Sequence, residues 1–167
     1  MKKLKDFDDV TNLPGVLDVV DVFDNARINN HKNYVIAIVG IDNFNDYTKY
    51  GLNLETNILK KIADVLKERF SKLGFIGHFE NDEFYMLLNT NDLDLILNKF
   101  TGINEKLKNE PIFFRRKKII LKISVGLAIH ESNSDFTNNL VLAQKSLRNV
   151  KNSGKSIFYY QINKIIY

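Results

Sequence analysis

From Ile119 to Ile129 every odd position is apolar: Ile119, Leu121, Ile123, Val125, Leu127 and Ile129. A period of two puts these side chains on one face of a long strand. Asn33–Ile41 (NYVIAIVGI) is β-branched and apolar almost throughout, which predicts a strand covered on both faces. Leu54–Lys72 changes to a helical period. Ile58, Leu59, Ile62, Leu66 and Phe70 share a face there, and Lys60, Lys61, Lys67 and Glu68 fall largely off it. The same period runs from Asp92 to Leu107 through Leu93, Ile96, Leu97, Phe100, Ile103 and Leu107. Leu140, Ala143, Leu147 and Val150 predict a last helix, closed by Ser153–Gly154. Near the start, Leu17, Val20, Phe23 and Ala26–Arg27 form a helical stripe opened at Thr11–Pro14, with Pro14 suited to a first turn. GFIGHF and EFYMLLN flank Glu80–Asp82 at hairpin spacing. Ser156–Tyr160 predicts a closing strand, and INKIIY is a tail.

The predicted order is helix, strand, helix, hairpin, helix, strand, helix, strand. The hairpin forces an antiparallel pair into an otherwise mixed arrangement, so the fold class is α+β, with helices packed on a mixed sheet. A length of 167 residues suits one domain. Residues 1–30 would supply an N-terminal segment and helix, and residues 33–160 the core. We find no internal repeat, low-complexity tract or linker.

Composition narrows the chemistry. A chain 44% hydrophobic and 26% charged is ordinary for a globular protein. The absence of cysteine removes thiolate metal sites and thiol nucleophiles. MKKLKDFDDV has no apolar stretch behind it for a signal peptide, and no run approaches a membrane span, so the expected location is the cytoplasm. The net charge of +4 has one concentration, Arg115–Lys118, read as a solvated connection leading into a strand. The alternative is a nucleic-acid or anionic-surface binder. The small net charge and the lack of aromatic–basic alternation make nucleic acid the less favoured partner. GKS at Gly154–Ser156 is no phosphate loop, because Asn149 stands where its first Gly belongs and a helix precedes it. His78 reads as a strand residue, and neither His31 nor His130 is spaced to join it as a ligand.

Four stretches in order resemble one family. DDVTNLP (Asp8–Pro14) is similar to the D-x-L-T-G-L-P opening of GGDEF domains, the diguanylate cyclase fold. GIDNF (Gly40–Phe44) with Tyr50–Gly51 resembles D-I-D-x-F…Y-G-H. FENDEF (Phe79–Phe84) falls at the signature hairpin, so that Glu80, Asn81, Asp82, Glu83 and Phe84 stand for G-G-D-E-F. SVGLA (Ser124–Ala128) and AQKSLRNVKNSGKS (Ala143–Ser156) match S-I-G-V-A and A-D-x-A-L-Y-x-A-K-x-x-G-R-N. The resemblance implies a palm-like, mainly antiparallel sheet flanked by helices, as in nucleotidyl cyclases and polymerases. It also implies condensation of two GTP into cyclic di-GMP with two divalent cations.

Several positions depart from that pattern. The first-strand Asp of the family corresponds to Gly40, which has no ligand atom. Glu80 and Asn81 put side chains where paired glycines let a nucleotide approach. The guanine-reading Asn and Asp correspond to Thr48 or Lys49 and to Thr56, and the family's His to Leu52; a threonine hydroxyl cannot accept two hydrogen bonds the way a carboxylate does. The product-inhibition R-x-x-D corresponds to Ser71 and Gly74, so cyclic di-GMP is not expected to bind there. Lys151 is kept as a phosphate contact, and Lys155 replaces an Arg. Asp42, with Asp82 and Glu83, is the remaining set for one Mg²⁺ or Mn²⁺. The plain alternative has Asp42 capping the next short helix and Glu83 pairing with a lysine.

The resulting expectation is a degenerate domain with no catalytic residue and no required cofactor, Mg²⁺ or Mn²⁺ entering only with residual nucleotide binding. It would act as a regulatory module in bacterial cyclic-dinucleotide signalling through a protein partner, or by sensing GTP or a cyclic dinucleotide. The runner-up is a weak or altered nucleotidyl cyclase using Asp42, Asp82 and Glu83.

Overall fold

The computed structural model describes residues 6–154 and 157–160. In chain order these form α1 (Val16–Ile28), β1 (Tyr34–Ile41), α2 (Phe44–Thr48), α3 (Leu52–Phe70), β2 (Gly74–His78), β3 (Glu83–Leu88), α4 (Leu93–Asn109), β4 (Ile112–Phe114), β5 (Lys117–Ile119), β6 (Ile123–His130), α5 (Phe136–Ser153) and β7 (Ile157–Tyr160). Five strands make one sheet in the order β2-β3-β1-β6-β7, and β4-β5 form a separate two-stranded ribbon. β1 runs antiparallel to both β3 and β6, and β7 joins β6 in parallel. This is the α+β fold that the alternating and helical periods predict, with the mainly antiparallel sheet that the resemblance implies.

Burial explains the near-continuous apolar run of β1. Val35, Ala37, Val39 and Ile41 join a core with α3 and α4, including Ile58, Ile62, Phe70 and Phe100. Ile36 and Ile38 point the other way, into a core with Val19, Phe23 and Ala26 of α1 and Ala143 and Leu147 of α5. A strand packed on both faces needs no polar alternation. α4 and α5 begin at Asp92 and Asp135, whose carboxylates accept from the backbone N–H of Leu95 and Asn138.

Two expectations are corrected. First, Pro14 lies outside the helix: α1 starts at Val16, and the Pro14 carbonyl accepts from His78 N at 2.9 Å. The buried stripe of α1 is Val19, Phe23 and Ala26, so Leu17 and Val20 face outward, 69% and 45% exposed. Second, the long strand from Ile119 to Ile129 is broken. Ile119 bonds to β4, and from Ile123 onward the chain bonds to β1. The period survives the break because Leu121 stays in the core; it reports which side is buried, not which backbone lies alongside. The Asn104 side chain marks the new start, accepting from Ile123 N at 2.9 Å and donating to Ile123 O at 3.0 Å. Arg115–Arg116, the exposed two-residue turn of the β4-β5 ribbon, is the solvated connection that leads into a strand. Ser156 and the INKIIY tail lie outside the described residues.

A polar cluster at the end of β6 gives the fold an acid sensitivity. Buried His130 donates from Nε2 to Asn30 Oδ1 at 2.6 Å, while Nδ1 accepts from Asn139 Nδ2 at 2.9 Å, with Ser134 Oγ 3.1 Å away and donating to the Glu131 carbonyl. That pattern fits a neutral ring. Burial pushes its pKa down, against a smaller upward pull from the Asp135 charge. With a folded pKa below the unfolded value, the native state binds fewer protons, so stability rises with pH across that window. We expect the urea midpoint to fall as pH drops below about 6.5, and His130→Gln to flatten that dependence. An unchanged slope in the variant would show that His130 is not the titrating group.

Candidate functional site

The signature hairpin keeps its turn without its glycines. Glu83 N donates to Glu80 O at 2.8 Å and Phe79 N to Glu83 O at 3.0 Å, closing the loop between β2 and β3. Asn81 has φ +47°, left-handed backbone that glycine adopts freely and asparagine better than most other residues. The Glu80 and Asn81 side chains stand exposed. Buried His78 ties this turn to the N-terminal stretch, its Nε2 2.9 Å from Asn81 O and its Nδ1 3.2 Å from Asp8 Oδ2. Burial raises the Asp8 pKa, but hydrogen bonds from Thr11 and His78 outweigh it and hold the carboxyl below its usual range. DDVTNLP is therefore a turn docked on the hairpin, not the opening of a helix.

Gly40 sits on β1 directly opposite Glu83 of β3 and Ser124 of β6. The side chain that fills its missing volume is Lys151, from the last turn of α5. A Cβ at Gly40 would lie 2.6 Å from Lys151 Cε and 2.7 Å from its Nζ. That ammonium donates to Asp82 Oδ2 at 2.8 Å, and the same oxygen accepts from Ile41 N at 3.2 Å. Asp82 thus spends its charge on an internal cation.

The other acids are placed differently from expectation. Asp42 Oδ1 accepts from Ser124 Oγ at 2.6 Å, with Lys122 Nζ 4.0 Å from its other oxygen. It does not cap α2, whose N-cap is Asn43 with no side-chain cap. Lys151 pairs with Asp82, not Glu83. Burial, and then the Asp82 charge, raises the Glu83 pKa against Lys151 and Arg148. Among the described residues no three His, Asp or Glu side chains form a group that could hold a metal ion, although Asp42 and Asp82 wall the same cleft. The residues present do not fit the two cations of a cyclase: Gly40 has no side-chain ligand, and the neighbouring Asp82 carboxylate is already paired.

A cleft of about 730 Å³ opens beside this ion pair, walled by Ile41–Tyr47, Asp82, Ile120, Lys122, Lys151 and Gly154. Lys151 reaches it with its ammonium bonded to Asp82. Lys155 lies outside the described residues. Thr48, Lys49, Leu52 and Thr56 do not line the cleft. Thr48 Oγ1 donates to Asn45 O at 2.9 Å, Lys49 pairs with Asp46 at 3.0 Å, and Leu52 is 73% exposed. Ser71 is an exposed C-cap of α3. At Gly74 any Cβ would strike the Leu87 carbonyl, so a carboxylate there would force β2 and β3 apart.

Lys151 in the space of Gly40 and the Asp8–His78 link were not anticipated from the sequence. The available signal was a lysine kept at Lys151 while the carboxylate opposite it became glycine.

The sheet order, the hairpin and the cleft at its tip define a palm-type domain of the nucleotidyl cyclase kind. The model of the family described as "Diguanylate cyclase, GGDEF domain" matches residues 6–156, and the chain belongs to that family. Diguanylate cyclase DgcP of Pseudomonas aeruginosa is 22% identical over 152 residues, which is 89% of this chain but 23% of that protein's length. The GGDEF domain of FimX from P. aeruginosa superposes with a TM-score of 0.82 at 16% identity, covering 93% of this chain and 99% of that one. Diguanylate cyclase SiaD of P. aeruginosa, solved with its activator SiaC, gives a TM-score of 0.80 at 18% identity, over 93% of this chain and 61% of that one. Among the described residues no helix is long and apolar enough to cross a membrane.

Proposed function

We propose that this chain is a GGDEF domain without diguanylate cyclase chemistry, acting as a regulatory, partner-binding module in cyclic-dinucleotide signalling. The observation that carries this is Lys151, whose ammonium fills the Gly40 space and neutralises Asp82. Phosphoryl transfer of this kind needs cations with open coordination positions, bridging the attacking hydroxyl and the phosphate oxygens. An ammonium held by Asp82 supplies one charge and no coordination site. Thr56 removes a carboxylate that would read guanine, and Glu80 and Asn81 carry side chains at the hairpin tip. The turn, the core and the sheet are meanwhile intact, as a module selected for its surface requires. SiaD, a protein of this fold, has been captured with a protein activator, which supports a protein as the kind of partner.

The test is chromatography of reactions containing the purified chain, GTP and Mg²⁺ or Mn²⁺. We expect no cyclic di-GMP. Turnover abolished by Asp82→Ala would overturn the proposal and favour the weak-cyclase reading. Gly40→Asp alone is expected to leave the result unchanged, because its carboxylate would begin against Lys151 and pair with that ammonium, and Thr56 would remain.

A further inference from the structure

We infer that the β4-β5 ribbon and the apolar cleft beside it form a docking surface for an acidic segment of a partner protein. The inference rests on the partner-binding reading above and specifies where and with what chemistry that binding occurs. The ribbon turns through Arg115 and Arg116, both with left-handed backbone, φ +47° and +66°. Such a two-residue turn favours Asn-Gly, so two arginines are a poor choice for folding and need another reason. Arg115 lies over the Phe114 ring at 5.1 Å. Lys117 lies over Tyr50 at 4.8 Å and donates to its hydroxyl at 3.1 Å, which anchors the ribbon to the loop before α3. Among the described residues no carboxylate forms an ion pair with Arg115, Arg116 or Lys118. Phe113, across from Lys118, is 74% exposed.

The chain runs from the ribbon directly into the wall of an apolar recess. Ile120, one residue past β5 and 47% exposed, lines a cleft of about 320 Å³. Leu121 and Ile157 share its wall, with Lys108 and Lys122 at the rim against a single acid, Glu105. A cationic ribbon leading into an apolar cleft with lysines at its edge complements a segment that alternates carboxylates with an apolar side chain. A nucleic-acid backbone would leave that recess unfilled, and four clustered cations make few phosphate contacts. A bilayer surface would not enter a concave site. Aromatic and arginine side chains at a rigid site are also what protein interfaces use as anchors.

The probe is a fluorescein-labelled peptide of glutamates interspersed with leucines, titrated by anisotropy. We expect saturable binding that weakens with salt. Arg115→Asn with Arg116→Gly should weaken it about tenfold or more while melting no lower than wild type, because the new turn relieves backbone strain. Ile120→Asp should weaken it similarly by spoiling the recess. Equal binding by the turn variant, or by a peptide with glutamine for every glutamate, would overturn the inference. So would tighter binding of single-stranded oligothymidylate or phosphatidylserine vesicles. Cyclase activity is read in a separate assay, so detecting cyclic di-GMP would refute the functional proposal without altering the peptide result, and the reverse holds.

Discussion

Gly126→Val is expected to unfold the chain or to cost at least about 3 kcal/mol, the upper end of ordinary overpacking. Gly126 is the glycine of SVGLA, in the middle of β6 and paired with Ile38 of β1. A Cβ there would collide with the Ala143 carbonyl and the Leu147 backbone of α5. Those are main-chain atoms of a helix, so no rotamer change relieves the clash. α5 would have to rise off the sheet, exposing the core that Ala143 and Leu147 share with Ile36, Ile38 and Phe23. Net stabilities of about 5–15 kcal/mol leave little margin for such a loss. Far-UV circular dichroism and urea titration measure it. A variant melting within a few degrees of wild type would show that α5 does not sit directly on that strand.

Phe84→Ala should destabilise by about 3–5 kcal/mol, the usual cost of deleting a buried phenyl ring. Phe84 is fully buried in β3, opposite Val39 of β1, with the His78 ring 5.0 Å away. For a chain of this size each kcal/mol moves the melting temperature by roughly 2–4 °C, so a drop of about 6–20 °C is expected. Glu80→Ala, at an exposed position of the same signature, should stay within about 0.5 kcal/mol. If the two variants melted alike, the ring would not be a core element. Within FENDEF, then, the phenylalanine holds the fold, and Asp82 serves as the partner of a lysine.

Much of the fold was legible because burial writes periods into sequence. β1 and β6 each pack helices on the sheet, and their apolar runs follow. α3, α4 and α5 each bury one stripe, and each was readable at its spacing. Weaker signals failed for physical reasons. In α1 an apolar residue occurs on nearly every side, so the stripe through Leu17 and Val20 matched the pattern although Val19, Phe23 and Ala26 face the core. The break after Ile119 was invisible, because both halves keep their odd residues inside while the hydrogen-bonding partner changes.

The sequence by itself determined the family, through motifs in register. It also determined that Gly40, Thr56, Ser71 and Gly74 carry no carboxylate or guanidinium, since a residue without those atoms lacks them in any fold. Only the tertiary structure decided what lies against Gly40. Lys151 lies 111 positions after Gly40 and meets it because α5 lays its last turn over the end of β1. Asp8 finds His78, and His130 finds Asn30 and Asn139, only once sheet and helices are assembled. Hydrophobic periodicity encodes which face is buried; the partner of a single charge or hydrogen bond depends on distances that local sequence does not contain.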